Sequence, residues 1–315
     1  MRLLTALVLL VISFGAQSFA ERPVRIVVPF PGGFADTLAR MVGAPLSRAL
    51  GQPVVIENKP GGSGQIGAAE TLRAPADGHT LFMGHIGTHA INPHLFARLT
   101  YDPEKDFMPV TLLVTVPNLL IVHPSVQATT VRELAALAKA SPGKLAYASP
   151  GNGTSGHLAA ELFKSLAGLR VLHVPYKGAA PALQDVIGGR VQFMFDTLAQ
   201  AYPHAKTGRV RALAVTTLKR HPATPEVPTM HESGFPDWET GPWFGLFVRS
   251  GTSEPIVRRL HSELAEALLV PEIRDRLAAQ GADPVGNSPE EFAQFIRAES
   301  ARWGKVVREA GIRAD

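Results

Sequence analysis

Residues 24–40 read VRIVVPFPGGFADTLAR, and this stretch predicts a strand, a glycine turn and a helix in succession. The opening VRIVV is apolar and β-branched apart from one arginine, which favours a β-strand. From residue 36 to 50, apolar residues recur on one stripe with a helical period. A helix that begins directly after a glycine turn leaves free backbone N–H groups, which can hold an anion.

The same alternation continues beyond this first unit. PVVIEN at 53–58 predicts a second strand, and the following glycine turn, 60-PGGSG-64, leads into a short helix that ends near Gly78. HTLFMGH then predicts a third strand. This βαβαβ order indicates a parallel sheet with right-handed crossovers. Within the first helix, we expect Pro45 to kink or shorten it.

A second α/β series begins near residue 119. NLLIVHPS, KLAYASPG, VLHVPYKG, VQFMFDT and VRALAVTT predict strands, with three helical segments between the first four of them. A proline-rich stretch at 222–243 then leads into another strand, FGLFVRSG, and three amphipathic helices complete the chain.

Two α/β units with a returning C-terminal segment predict an α/β fold of two lobes joined by two crossover strands, NLLIVHPS and WFGLFVRS. We expect residues 21–118 plus 243–315 to form lobe 1 and residues 119–242 to form lobe 2. The glycine turns gather where the parallel strands end, and open α/β sheets bind ligands there. The sequence therefore predicts a central ligand cleft between the lobes.

Composition excludes several classes of protein. The chain has 315 residues, a formal net charge of +4 and no cluster of Lys or Arg, so nucleic-acid binding is not expected. The absence of cysteine rules out a cysteine nucleophile and thiolate metal sites. A chain of this length can bury enough apolar surface to fold without disulfides.

Residues 1–20 resemble a secretory signal peptide. Arg2 precedes the apolar run LLTALVLLVISF, and Ser18-Phe19-Ala20 has the small-x-small pattern of a cleavage site. We expect cleavage after Ala20 and a mature protein outside the cytoplasm. No later stretch reaches the roughly 18 consecutive apolar residues that a transmembrane helix needs.

Two glycine turns are the main candidates for chemistry. They are 31-PGGFAD-36 and 150-PGNGTSGH-157, and each follows a predicted strand and opens a predicted helix. Each could be no more than a tight strand-to-helix turn. One turn from each lobe, facing each other, would instead clamp a carboxylate or phosphate with backbone N–H groups and helix dipoles.

Other chemistries fit the sequence less well. No GxxxxGK[ST] motif is present, and the first turn, 31-PGGFAD-36, is not GxGxxG, which argues against nucleotide and dinucleotide binding there. A secreted hydrolase would need a nucleophile, but 151-GNGTSG-156 is not the G-x-S-x-G elbow. The spacing of Ser155 and His157 places their side chains on different helix faces.

Single acidic and histidine residues allow two interpretations each. His85 and His89 have i, i+4 spacing, but they follow a strand, so a metal site is not expected. We interpret His157 as capping or packing at the helix start. Asp36 lies in a first helical turn, where a cap or dipole partner is the more common role and ligand contact the alternative.

The chain resembles the extracytoplasmic receptors of the tripartite tricarboxylate transporters, also called Bug receptors, from Arg22 to about Arg313. The matching stretches include PGGFADTLAR, GQPVVIENKPGGSGQIGA, INPHLFARLTYDPEKDFMPV, GNGTSGHLAAELFK and VPYKGAAPALQDVIGGRVQFMFD. The resemblance implies a type II periplasmic binding protein that carries out no reaction and needs no cofactor or metal. It implies a small carboxylate as ligand, membrane transporter subunits or a sensor kinase domain as partners, and a monomeric chain.

The resemblance also implies a set of ligand-binding residues on both lobes. One carboxylate of the ligand would contact backbone N–H groups and waters of the two glycine loops. Family members often have a longer first loop and a small residue where Phe34 stands, so we expect Phe34 to alter the pocket. The implied residues are Pro31, Gly32, Gly33, Phe34, Ala35, Asp36, His85, Gly87, Thr88, His89, Asn152, Gly153, Thr154, Ser155, His157, Tyr176, Lys177 and Asp196.

Overall fold

The computed structural model describes residues 21–236, 238–309 and 311–313, so the predicted signal peptide lies outside the described residues. The strands are β1 (Val24–Val28), β2 (Val54–Asn58), β3 (Thr80–His85), β4 (Phe107–Thr115), β5 (Asn118–Val122), β6 (Ala146–Ser149), β7 (Leu172–Pro175), β8 (Phe193–Thr197), β9 (Arg211–Val215), β10 (Trp243–Arg249) and β11 (Asp283–Pro284). The α-helices are α1 (Phe34–Leu50), α2 (Gln65–Arg73), α3 (Asn92–Leu95), α4 (Val131–Ala140), α5 (Ser155–Ala167), α6 (Ala179–Ile187), α7 (Leu198–Lys206), α8 (Glu254–Leu269), α9 (Pro271–Ala279) and α10 (Pro289–Glu309).

These elements form two sheets, which confirms the predicted two-lobe α/β fold. The first sheet has the order β11-β4-β10-β3-β1-β2, and the second has the order β7-β6-β8-β5-β9. Strand β1 pairs in parallel with β2 and β3, as the βαβαβ pattern predicted. Strands β10 and β5 run antiparallel to their neighbours, and each is the first strand that the chain adds to its sheet after it leaves the other lobe.

The chain passes between the sheets twice. It crosses from β4 to β5 through residues 116–117 and returns from β9 to β10 through residues 216–242. The predicted crossover strands correspond to β5 and β10. The first sheet therefore draws on residues 24–115 and 243–284, and the second on residues 118–215; lobe boundaries at 118 and 242 remain a prediction.

The following features are among those that differ from the sequence-based expectations. The expected shortening of the first helix is wrong, because α1 runs through Pro45 to Leu50. Strand β4 was missed; it contains Pro109, a residue that is uncommon inside sheets, and its pairing with β10 is irregular there. Helix α7 was missed between two strands that were predicted to follow each other.

Burial of the apolar stripe explains why α1 tolerates its proline. Leu38, Val42 and Leu46 are completely buried in a core that also contains residues of β1 and α8. Because this packing holds the helix on the sheet, the N-terminus of α1 stays fixed beside the end of β1. Among the described residues, no helix is long and apolar enough to cross a membrane.

Candidate functional site

A narrow cleft lies between the ends of the two sheets. Its cavity volume is about 60 Å³, and both glycine loops contribute to its walls. Four helices, α1, α5, α6 and α7, begin at or beside it. Its lining consists of Phe30, Gly33, Phe34, Ala35, His85, Asn118, Pro150, Thr154, Ser155, Gly156, Ala179, Phe195, Asp196, Thr197, Gln200, Pro242 and Phe244.

Helix N-termini give the cleft its positive character. Helices α1 and α6 start after Gly33 and Gly178, and neither start has a side-chain cap. Helix α5 starts after Thr154, whose Oγ1 accepts a hydrogen bond from the His157 N–H. Because the first N–H groups of a helix lack intrahelical acceptors, these ends can donate to an anion and stabilise it through the helix dipoles.

Aromatic rings form the apolar walls of the cleft. Phe34 packs against Phe244 with ring centroids 5.4 Å apart, and Phe30 meets His85 edge-on at 4.8 Å. Phe195 lines the side that the second sheet provides. The cleft therefore combines an apolar interior with donors at its ends, as is usual for sites that bind small organic molecules.

His85 is a neutral hydrogen-bond donor in this cleft. Burial lowers the pKa of His85 to about 3. Its Nδ1 accepts a hydrogen bond from the Gly87 N–H at 2.8 Å, so the proton resides on Nε2. That Nε2 is buried and has no partner in the described part of the protein. It can therefore donate to a ligand.

Asn118 supplies a second neutral donor. It is fully buried at the start of β5, and its Oδ1 accepts a hydrogen bond from Ser155 Oγ at 3.4 Å. Its Nδ2 is buried with no partner in the described part of the chain. Buried polar atoms are normally paired, so an orphaned donor in a cleft indicates a place for a polar ligand atom or a water.

Asp196 is the acidic residue of the cleft. It is 2% exposed, and its Oδ1 accepts a hydrogen bond from the Thr197 N–H at 2.8 Å. Burial raises the pKa of Asp196 to about 7, although the Thr197 N–H opposes this shift. Its Oδ2 is buried and lacks a partner among the described residues.

Of the 18 residues implied by the resemblance, seven line the cleft. They come from the first loop, the end of β3, the second loop and the end of β8, so four separate chain segments meet as expected. These seven are Gly33, Phe34, Ala35, His85, Thr154, Ser155 and Asp196.

Three further residues, Asn152, Tyr176 and Lys177, lie at the mouth of the cleft instead. They line a second cavity of about 280 Å³, which shares Phe30 and Pro150 with the cleft itself. The Tyr176 hydroxyl donates to Asp185 at 2.6 Å, which holds the ring at this entrance. The Lys177 side chain is exposed there.

The remaining eight residues line neither cavity, which corrects the expectation that the whole loops face a ligand. Asp36 bonds to Arg40 and to Asn58 on the outer side of α1, so it is neither a cap nor a cleft residue. It still lies in the first turn, where its charge complements the helix dipole. The eight are Pro31, Gly32, Asp36, Gly87, Thr88, His89, Gly153 and His157.

Thr88 and His89 are buried in the core of the first lobe. A π-helical turn, Gly87–Ile91, follows β3 and rotates these side chains away from the cleft. The His89 ring stacks on Phe247 with centroids 3.7 Å apart, and Thr88 Oγ1 bonds to the backbone of His85. Thr88 and His89 therefore help to position His85 from the side of the core and do not line the cleft.

Four of the eight lie where the two loops approach the opposite lobe. A Cβ placed on Gly87 would come within 2.6 Å of the Gly153 carbonyl oxygen. A Cβ on Gly32 would lie 3.7 Å from Ala180, and one on Gly178 would lie 3.4 Å from the Pro31 carbonyl oxygen. Glycine thus permits close backbone approach between the lobes.

His157 packs beneath the second loop, as we interpreted it from the sequence. Its Nδ1 accepts from the Gly153 N–H, and its ring stacks on His173 with centroids 4.5 Å apart. Burial, together with the neighbouring His173, lowers the pKa of His157 to about 3. Both contacts fix the loop rather than a ligand.

Sequence reasoning missed ten lining residues. Gln200 was missed because α7 was missed, and Asn118 because it belongs to a strand end rather than to a motif. Phe244 begins the returning strand, far from the loops in sequence. The others are Phe30, Pro150, Gly156, Ala179, Phe195, Thr197 and Pro242. Among the described residues, no group of three or more His, Asp or Glu side chains could hold a metal ion.

Comparison with protein families gives one match over most of the chain. Residues 38–312 match the family described as tripartite tricarboxylate transporter family receptor. Protein BugT of Bordetella pertussis is 36% identical over 300 residues, which cover 95% of this chain and 92% of that protein.

Solved structures agree in fold along almost the whole chain. R. palustris Rpa4515, solved with adipate, has a TM-score of 0.90 and 42% identity, covering 93% of this chain and 98% of that one. MatC from Rhodopseudomonas palustris, solved with bound malate, has a TM-score of 0.88 and 38% identity, covering 92% of this chain and 100% of that one.

Proposed function

This chain belongs to the tripartite tricarboxylate transporter receptor family, and we propose that it captures a small carboxylate in the cleft between its lobes. The family consists of solute receptors rather than enzymes. The ligand is a mono-, di- or tricarboxylate, or an aromatic or amino acid. The two family members solved with adipate and malate support this ligand class.

The convergence of uncapped helix N-termini on one apolar cleft carries the proposal. The starts of α1 and α6 have no side-chain cap, and the start of α5 lines the same cavity. None of the residues lining the cleft is Lys or Arg. A carboxylate bound there is held by neutral donors and helix dipoles, which stabilise negative charge without a buried ion pair.

We assign the ligand carboxylate to two sets of donors. The first set is the backbone N–H groups of Phe34 and Ala35 with those of Ser155 and Gly156, one pair from each lobe. The second set is His85 Nε2 and Asn118 Nδ2, both buried and unpartnered in the described structure. Contact with both lobes favours the closed arrangement, because only that arrangement makes all of these bonds.

At the mouth, Asn152, Tyr176 and Lys177 contact the outer end of the ligand or guide it inward. An exposed ammonium such as that of Lys177 attracts an anion mainly over short distances at physiological salt. A second carboxylate on a longer ligand would lie in this larger cavity.

The receptor acts in the periplasm as a monomer and delivers its ligand to membrane transporter subunits or to a sensor kinase domain. The family's known receptors are periplasmic binding proteins, as the solved protein BugD is described. Cleavage of residues 1–20 would release the mature chain on that side of the membrane.

A thermal-shift screen of the mature chain against mono-, di- and tricarboxylates, aromatic acids and amino acids tests this function. A ligand that binds only the folded state raises the melting temperature in a saturable way. We expect such a shift for a narrow group of acids, with each acid recovered unchanged. Hydrolysis of a small ester with no shift by any acid would contradict the receptor and favour a secreted hydrolase.

A further inference from the structure

Asp196 is the acidic group of the cleft, and carboxylate capture leaves its position unexplained. The other polar side chains there are neutral, and the helix N-termini and two side-chain donors already serve an anion. A buried carboxyl group beside an anion site disfavours that anion when it is ionised. The Asp196 carboxyl group is therefore expected to contact a part of the ligand other than its carboxylate.

The two carboxylate oxygens of Asp196 have different environments. Oδ1 accepts from the Thr197 N–H at 2.8 Å, whereas Oδ2 is buried and unpartnered within the described structure. The residue is 2% exposed, and its backbone pairs with Leu119 in the middle of the second sheet. Because the strand pairing fixes the backbone, Oδ2 is a preorganised acceptor in the cleft.

Two further oxygen atoms lie in the lining of the same cleft. Thr197 Oγ1 and Gln200 Oε1 are both buried, line the cavity and have no partner among the described residues. Both belong to the junction of β8 and α7, next to Asp196 in sequence. The junction of β8 and α7 therefore adds three buried and unpartnered oxygen atoms, Asp196 Oδ2 among them, to a cleft whose other free groups are donors.

We propose that the ligand carries a hydroxyl or ammonium group close to its carboxylate, and that Asp196 Oδ2 accepts a hydrogen bond from it. The ligand is then an amino acid or a hydroxy acid rather than an unsubstituted acid. This inference rests on the proposed function, since it assumes that the carboxylate lies at the helix N-termini. An unsubstituted acid would leave Oδ2 buried without a partner, which costs binding free energy.

The described lining of the cleft offers no cation for this role. The lining of the cleft contains no Lys or Arg, and Lys177 lies in the separate mouth cavity. Sites that are built to hydrogen-bond a ligand hydroxyl or amine discriminate strongly against analogues that lack it, because the polar groups of the site are left unpaired. Selectivity between matched acids is therefore the property to measure.

Titration calorimetry with matched sets of acids tests this inference. The sets are propionate, lactate and alanine; succinate, malate and aspartate; and phenylpropionate, phenyllactate and phenylalanine. In the set that binds, we expect the hydroxy or amino member to have at least a tenfold lower Kd than the unsubstituted acid. Equal affinity within that set would overturn the inference and leave the receptor function intact.

Asp196→Asn provides the decisive variant. The Thr197 N–H keeps the amide oxygen in the Oδ1 position, so an NH₂ donor replaces the acceptor at Oδ2. We expect the preference for the hydroxy or amino acid to disappear or reverse in favour of the unsubstituted acid. Asp275→Asn, on the exposed face of α9, is the control and should leave the preference unchanged.

Three other results would each overturn the inference. If Asp196→Asn weakens all members of a set by the same factor, Asp196 acts only in folding or closure, and the inference is wrong. If the unsubstituted acid binds best in the unaltered protein and binds more tightly below pH 7, a protonated Asp196 donates to the ligand carboxylate, which also overturns it. If no acid of any class binds, the proposed function fails with it.

Discussion

Phe34 forms part of the apolar wall of the cleft. Its ring is 6% exposed, packs on Phe244 and belongs to the core of the first lobe. Phe34→Ala should lower the free energy of unfolding by about 3–5 kcal/mol and enlarge the cleft. We expect bulkier acids to bind relatively better in this variant, as measured by thermal shift across the panel of acids.

The matched control is Phe235→Ala, which removes a half-buried ring that packs against the core of the second lobe, away from the cleft. It should reduce stability without altering the order of ligands. If Phe34→Ala also leaves that order unchanged, Phe34 supports the fold and does not determine which acid binds.

Thr154 acts on the ligand through its own loop. Its Oγ1 donates to the Gly151 carbonyl at 2.8 Å and accepts from the His157 N–H at 3.4 Å. Thr154→Ala should lower stability by about 1 kcal/mol through loss of the cap and weaken binding by roughly 1–3 kcal/mol. Thr154→Ser keeps the hydroxyl, so calorimetry should show nearly unchanged affinity; equal loss in both variants would contradict this role.

Asp196 also makes stability depend on pH. Burial raises the pKa of Asp196 from an ordinary 3.8 to about 7 in the folded protein. Between these values the unfolded chain binds fewer protons than the folded one, so the contribution of Asp196 to the free energy of unfolding falls as pH rises. Between pH 4 and pH 7.5, the free energy of unfolding of Asp196→Asn should therefore rise by about 4 kcal/mol relative to that of the unaltered protein.

Urea unfolding of both proteins at the two pH values measures this difference directly. Other groups contribute equally to both proteins, among them His85, whose lowered pKa favours folding at higher pH. A stability difference that does not change with pH would show that Asp196 ionises normally in the folded protein.

At the level of elements, the π-helical turn after β3 meets the second glycine loop across the cleft. A Cβ on Gly87 would lie 2.6 Å from the Gly153 carbonyl oxygen and would also press on the His85 ring. We expect Gly87→Ala to hold the lobes apart and to raise Kd more than tenfold. Small-angle X-ray scattering should show a larger radius of gyration for this variant in the presence of ligand.

Gly43→Ala is the corresponding control within α1. A Cβ there makes only ordinary contacts at 3.4 Å with Val54 and Ile56, so scattering and affinity should not change. If Gly87→Ala has the affinity and the radius of gyration of the unaltered protein, the structure accommodates the methyl group locally. The approach of Gly87 to the second glycine loop then does not control closure.

Strands and helices could be predicted from the sequence where the hydrophobic pattern of neighbouring residues is clear. The strand, glycine turn and helix at residues 24–50 follow from a change of hydrophobic period at the glycine turn, and the second loop repeats that signal. Strand β4 was hidden by Pro109 and irregular pairing, and α7 by the absence of a side-chain cap. Pro45 failed to end α1 because burial of the helix outweighs the local preference.

At the scale of the whole molecule, the position of the cleft could be predicted from the sequence, but the full set of residues that line it could not. The loops and Asp196 were anticipated, whereas Asn118, Gln200 and Phe244 enter through pairing and packing between distant segments. His85 was anticipated in the cleft, but the π-helical turn that buries His89 was not. Such non-local contacts have no periodic signature in one sequence.

We propose that the molecule is a clamp whose helix N-termini hold one carboxylate between two lobes. A crystal structure of the mature chain with its tightest acid tests this most directly. We predict that the ligand carboxylate accepts hydrogen bonds, directly or through one water, from N–H groups of residues 34–35 and 155–156. A carboxylate paired instead with Lys177 at the mouth, with the helix N-termini free of ligand, would contradict the account.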